Sequence, residues 1–256
     1  MKKNAWGPIL VLAGFCLIWQ LVAMTGFFPK LLFPSLTDIA RSLIEGFKNE
    51  HLGLSILYSL RLIGQGMLIG TGMALVLSGL ALMSGWFRQI YGCLISVCDP
   101  LPGIALLPLA ILWFGVGQTT IIFIIVHAVI WPFSRSLIDG FDSVPAIYGD
   151  VGRNLGLSGT GLIKGIYLPA ASPFIISGLK TGWARAWRAL ISAEMIFGAT
   201  GLVGGLGWHI FTKRYRLDTP GVFAALLVII VIGLFVEYGL FGTVEKKTTK
   251  KWGLSR

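Results

Sequence analysis

The chain has 256 residues, of which 55% are hydrophobic and only 12% charged, and its mean hydropathy is +0.81. Soluble domains carry about 25% charged residues, so the composition excludes an ordinary soluble fold and defines a membrane protein. The formal net charge of +10 does not point to nucleic acid, because no basic run is interleaved with aromatics on a soluble surface.

Taking about 20 apolar residues as one bilayer crossing, the sequence predicts an all-α membrane protein, a single domain over 1–256 with six spans. These fall at about 6–27, 54–83, 90–114, 119–140, 170–198 and 221–243. An even number places both ends on one side. Lys2 and Lys3 before the first span, and Lys246, Lys247, Lys250, Lys251 and Arg256 after the last, put that side in the cytoplasm. The first apolar run has no small-x-small cleavage site and reads as an uncleaved span, not a signal peptide. Cys16, Cys93 and Cys98 are scattered in or beside apolar runs, which makes neither a disulfide framework nor a metal site and predicts small buried hydrophobes.

Between the first two spans, Leu36, Ile39, Ala40, Leu43 and Ile44 recur at helical spacing. They predict an amphipathic helix on the outer interface, capped by Ser35 or Thr37. In span two, Gly66-x-x-x-Gly70 is a small-xxx-small pair that lets helix backbones approach closely. Asp99, Pro100, Pro102 and Pro108 interrupt span three, which is therefore expected to line the bundle interior, with Asp99 near its cytoplasmic entrance. Span four carries His127, expected to be a hydrogen-bonded packing residue.

The segment 148–169, YGDVGRNLGLSGTGLIKGIYLP, is a polar island between long apolar runs. Asp150 to Leu155 predicts a short helix that Gly156 terminates in the left-handed conformation. Ser158 can cap a second short helix to about Tyr167, and Pro169 marks the start of the next long element. The spacing resembles the cytoplasmic loop of binding-protein-dependent ABC importer permeases: E-A-A, three residues, Gly, nine residues, Ile, one residue, Leu-Pro. Gly156, Ile166, Leu168 and Pro169 stand at those places, preceded by Arg153 and Leu155. The triplet departs from the pattern, reading Asp150, Val151, Gly152.

Other stretches resemble the nitrate, sulfonate, taurine and bicarbonate branch of that family. They are Leu32 to Ser35, Ser59 with Arg61, Trp113 to Gly117, Arg185-Ala186-Trp187, Ala193-Glu194, the glycine-rich 198–207 loop with its G-L-G, and the tail near Lys251-Trp252-Gly253. Asp99 stands where that branch commonly has a basic residue, and Arg188 is an addition to it. The resemblance implies the type I importer permease fold, with Asp150, Arg153, Leu155, Gly156, Ile166, Leu168 and Pro169 forming a coupling helix against an ATPase. It also implies a homodimer, two cytoplasmic ATPase subunits that bind ATP and Mg, an extracytoplasmic substrate-binding protein, and a bacterial inner-membrane location. This chain itself is expected to hold no cofactor, metal or catalytic residue.

Ionisable groups inside a bilayer are costly and are functional candidates by default. Arg185, Arg188, Glu194 and Trp187 in span five are the candidate pathway residues, with Arg185 and Ser192 on one helix face and Trp183, Trp187 and Glu194 on another. Arg185 and Glu194 lie about 180° apart by helical spacing and so need partners elsewhere. Lys213, Arg214 and Arg216 follow on the outside as a candidate surface for an external partner.

No G-x-x-x-x-G-K-[ST] occurs, so energy for active transport must come from another chain. Two other classes remain open here. One is a secondary carrier or channel, which inverted repeats would favour. The other is an intramembrane serine protease, from Gly156-Leu157-Ser158-Gly159 with His127 or His209 as base.

Overall fold

The computed structural model describes residues 6–29, 31–198 and 204–248. Lys2, Lys3, Lys30, residues 199–203 of the glycine-rich loop and the tail from 249 lie outside the described residues.

Helix α1 (Trp6–Met24) is tied to the entry of α2 (Leu36–Asn49). The Trp19 indole donates to Pro34 O at 3.0 Å and stacks on Phe33, and Leu36 N donates to Gln20 Oε1 at 2.9 Å. Ser35 caps α2 as expected, accepting from Asp38 N at 3.1 Å. The inward stripe of α2 is narrower than the sequence implied. Ile39 and Gly46 are buried and Leu43 meets the core, while Ala40 and Ile44 face outward.

Helix α3 (Leu52–Met83) has 32 residues, about 48 Å at 1.5 Å per residue, so it must tilt or project beyond a hydrocarbon core of about 30 Å. It lies along the central helix α6 (Gln118–Asp142), whose Ile121, Ile124, Ile125 and Val129 are fully buried. Gly66 and Gly70 make this contact possible. A Cβ on Gly66 would sit 2.3 Å from Ile125 Cγ2, and one on Gly70 would sit 3.3 Å from the Val126 backbone. The small-xxx-small reading thus identifies a real backbone approach.

The expected third span is not one helix. It is α4 (Gly85–Cys98) and, after a short 3-10 turn at Gly103–Leu106, α5 (Leu107–Phe114), bent by 91° at the break. Pro100 and Pro102 supply no amide hydrogens, so the helical ladder cannot cross residues 99–102. Asp99 therefore stands at the break, one whole helix away from the α4 entrance where the sequence placed it.

Helix α7 (Ala146–Asn154) follows α6 as a short separate element. The second short helix does not stop at Tyr167. α8 (Gly159–Leu162), a π segment (Ile163–Tyr167) and α9 (Leu168–Phe197) form one continuous helix, Gly159–Phe197, of 39 residues. Leu168 N bonds Ile163 O across the wide turn, which lets the helix run through Pro169 despite the missing amide.

The outer stretch after α9, expected to be a loop, contains helix α10 (Leu206–Tyr215). The last crossing, Thr219–Lys247, comprises α11 (Thr219–Leu234), a π segment and α12 (Gly242–Lys247), with Lys180 of α9 holding Glu245 at 3.2 Å.

Among the described residues, four helices are long and apolar enough to cross a membrane, and the bent pair makes a fifth if taken as one span. The apolar part of α1, Leu10–Met24, is shorter. The cysteines are free, but Cys93 is exposed and Cys16 and Cys98 are only half-buried, against the expectation of burial.

Candidate functional site: a protruding loop and a charged cavity

Gly156 adopts φ +78°. Leu157 N donates to Gly152 O and Gly156 N to Arg153 O, both at 2.9 Å. This pair of bonds is a Schellman motif, which satisfies the last carbonyls of α7 and reverses the chain. Ser158 precedes α8 in extended conformation but makes no side-chain cap.

Ile166 turns inward against Gly152, where a Cβ would come within 2.7 Å of its Cδ1. The glycine that replaces alanine in the triplet is thus a contact point between α7 and the helix after it. Pro169 is half-buried near the start of α9.

The outward side of the loop is apolar. Ile147, Tyr148, Val151 and Leu155 are each about half or more exposed, Leu155 at 74%, and their spacing puts them on one face of α7. Leu168 is also exposed. Asp150 and Arg153 pair with each other at 2.6 Å across one turn, both exposed. Sequence reasoning missed Ile147, Tyr148 and Val151. Their signal was an apolar stripe on a helix lying outside every predicted span.

A cavity of about 420 Å³ opens where the broken span meets α6 and α9. Its walls include Asp99, His127, Trp131, Arg185, Arg188 and Ser192. Asp99 joins the elements: Arg185 Nη1 of α9 lies 2.5 Å from its Oδ1, and Arg135 Nε of α6 lies 3.5 Å from its Oδ2. Only 14% of the Asp99 side chain is exposed. The His127 ring stands edge-on to Trp131. Both His127 nitrogens and Trp131 Nε1 are buried without a hydrogen-bond partner among the described residues. His127 is therefore not the hydrogen-bonded packing residue expected.

Of the four candidate pathway residues, the structure brings Arg185 and Arg188 to this cavity and keeps Glu194 and Trp187 out of it. Trp187 is buried and stacks on Trp183 with centroids 5.7 Å apart. Glu194, 1% exposed, has no cation partner among the described residues. Its carboxylate lies 2.8 and 2.9 Å from Ser59 Oγ and accepts from Gly207 N at 2.9 Å, while Leu206 N donates to Ser59 Oγ at 2.9 Å. The carboxylate thereby sits over the N-terminal turn of α10, where unpaired amides favour a negative charge. Three separate sequence signatures, at Ser59, Glu194 and Gly205 to Gly207, meet at this one point.

On the outer side, Lys213 is buried and does not face a partner. Its Nζ lies 2.7 Å from both the Glu50 and Asp218 carboxylates, joining α10 to the end of α2 and the start of α11. Burial disfavours the Lys213 charge, but the bonds to Asp218 and Glu50 outweigh it and hold the ammonium above its ordinary range. Burial likewise works against ionisation of Asp218, and its bonds from Lys213 and the Gly221 amide prevail and pull it below the usual carboxylate range. His209 beside them is pushed down, chiefly by burial.

A broken span around a charged cavity, with a structured loop projecting from the neighbouring helices, defines a membrane transport component. Residues 66–250 match the family described as binding-protein-dependent transport system inner membrane component, and the chain belongs to that family. It is 30% identical to a provisionally named ABC transporter permease of Methanocaldococcus jannaschii, over 87% of this chain and 84% of that one. It is 28% identical to the taurine transport system permease protein of Escherichia coli, over 94% of this chain and 88% of that one. It is also 28% identical to the nitrate import permease protein of Synechococcus elongatus, over 75% of this chain and 69% of that one. The chain is a permease component and not a catalytic subunit. Ser158 stands before α8, whereas His127 belongs to α6 and His209 to α10.

Proposed function

We propose that this permease passes a small anionic solute, of the nitrate, sulfonate or taurine kind, from an external binding protein to the cytoplasm, driven by ATP hydrolysed on separate subunits. The observation that carries the reading is the exposed apolar face of α7 beside the Gly156 turn, on a loop outside every crossing. Exposed apolar area of this kind marks an interaction surface. The residues for docking are Asp150, Arg153, Leu155, Gly156 and Leu168, with Ile166 and Pro169 holding the loop to its lever. ATP and Mg belong to the docked subunit.

The anion assignment is supported by the charge of the cavity. Two lining arginines, Arg185 and Arg188, against one aspartate give a positive potential in a low-dielectric surrounding, which favours a negative solute over a cationic one. The nitrate permease to which the chain is similar carries an anion by name, and the taurine permease a solute that bears a sulfonate group.

Both termini lie in the cytoplasm in this reading, and two copies related by a two-fold axis form the pathway, each with one ATPase. The test is mass measurement of the complex purified from its native membrane. Two permease chains with two ATPase subunits are expected. An active carrier consisting of this chain alone would overturn the reading in favour of a secondary transporter.

A further inference from the structure

The cavity holds an arrangement that the transport reading does not by itself require. Asp99 is bonded by two arginines from two different helices, one at each carboxylate oxygen. Arg185 lines the cavity, while Arg135 is not among its walls. Arg188 lines it too and has no ion-pair partner among the described residues. Beside them, the Trp131 indole N–H and the His127 nitrogens face no protein partner. Buried polar groups of this kind are ordinarily satisfied, and these belong to two residues of the cavity wall. The wall therefore presents two guanidinium groups to the open volume, as a site for an oxyanion does.

We propose that Asp99 is a tethered counter-ion that occupies Arg185 until an oxyanion enters, and then shifts its pairing to Arg135. The inference rests on the anion-transport reading and adds to it the residue that sets anion affinity. Asp99 caps α4 at the break, its N donating to Ile95 O at 2.9 Å and its carbonyl accepting from Arg185 Nη1 at 3.4 Å, so the backbone is held and the shift is one of the side chain alone. It already reaches both arginines. A sulfonate or nitrate that takes Arg185 and Arg188 leaves Asp99 paired with Arg135, so no buried charge is stranded at any stage. Stranding is the expensive outcome for a charge inside a membrane protein. The exchange also explains how binding can be weak enough for release, because the resident carboxylate competes for the same guanidinium.

The test uses the full-length purified permease in lipid nanodiscs, with methanesulfonate as probe and dimethyl sulfone as its uncharged counterpart, by calorimetric titration. Wild type is expected to bind methanesulfonate and not dimethyl sulfone. Asp99→Asn should tighten methanesulfonate binding by about tenfold, and Arg188→Gln should weaken it by a similar factor. Plain field effects would give the first result as well, so a double-mutant cycle decides. Arg135→Gln should weaken binding severalfold in wild type and have no effect in the Asp99→Asn background. Additive effects, or unchanged affinity in both single variants, would overturn the counter-ion exchange while leaving anion binding by wild type intact. Binding of dimethyl sulfone in place of methanesulfonate by wild type would remove the anion reading and this inference together. If Asp99→Asn does not fold, Asp99→Glu replaces it: the longer arm should shift methanesulfonate affinity, and the Arg135→Gln effect should persist in it. Its loss would overturn the proposal.

Discussion

Glu194 is held by the Ser59 hydroxyl and the Gly207 amide, which tie α9 to α3 and α10. Helical spacing put it opposite Arg185, and the two indeed face different surroundings. A search restricted to cations could not find its partners, because they are a serine hydroxyl 135 positions away and a backbone amide on a helix not foreseen. A buried donor left without such a bond costs about 1–3 kcal/mol. Glu194→Ala would strand Ser59 Oγ and the Gly207 amide and open a void beside them. It is expected to cost about 2–4 kcal/mol, read as a fall in the thermal midpoint of the detergent-solubilised protein. Glu194→Gln keeps one acceptor and the volume and should lose less than half of that. Equal losses in the two variants would show that charge, not acceptor geometry, holds α10 in place. Arg185 and Arg188 were visible in the sequence as costly charges, but Asp99 was misplaced because a proline-interrupted span was still treated as a straight one.

Elements were most legible where one residue decides the geometry. The Gly66 and Gly70 contact and the Gly156 turn follow from the absence of a Cβ, and both are where the sequence put them. Elements were least legible where the backbone departs from a regular ladder. The 91° break and the passage of α9 through Pro169 depend on how neighbouring helices support irregular carbonyls, which no local pattern records.

Helix α10 was missed because its glycine-rich start signals a loop. Its anchoring by Lys213 makes a prediction about pH. Lys213 has a raised pKa, so its contribution is complete below its ordinary 10.5 and disappears as pH climbs through the raised value. Asp218 has a depressed pKa, so its contribution is complete above its ordinary 3.8 and disappears as pH falls through the depressed value. His209 prefers its neutral form, so acidification below its ordinary 6.5 already costs stability. The thermal midpoint should therefore be flat from about pH 7 to pH 10 and decline on either side, the acid decline starting first. Lys213→Met should abolish the alkaline decline. An alkaline decline that persists unchanged in Lys213→Met would contradict this anchoring.

At the scale of the whole molecule, composition alone established a membrane protein, and the loop spacing established its family resemblance. What the sequence did not convey is how the loop connects to the cavity. The second arm of the loop and the helix that carries Arg185 are one unbroken element, Gly159–Phe197, about 58 Å long at 1.5 Å per residue. In the proposed reading, a displacement of the loop is carried along this helix to the charged wall. Coupling of this kind biases a two-state equilibrium between inward-open and outward-open arrangements.

Gly156→Val tests that account most directly. A Cβ there would meet nothing within 4 Å, so the variant has space and should fold and insert normally. The strain of φ +78° remains and costs about 1–2 kcal/mol, enough to misplace the α7 face against its partner. The measurement is reconstitution of the variant in lipid with its ATPase and binding protein, following assembly, substrate-stimulated ATP turnover and uptake in one sample. The account predicts that turnover and uptake fall together while the permease stays folded. Wild-type turnover and uptake in the valine variant would make the 148–169 loop a passive connector and contradict the account at its centre.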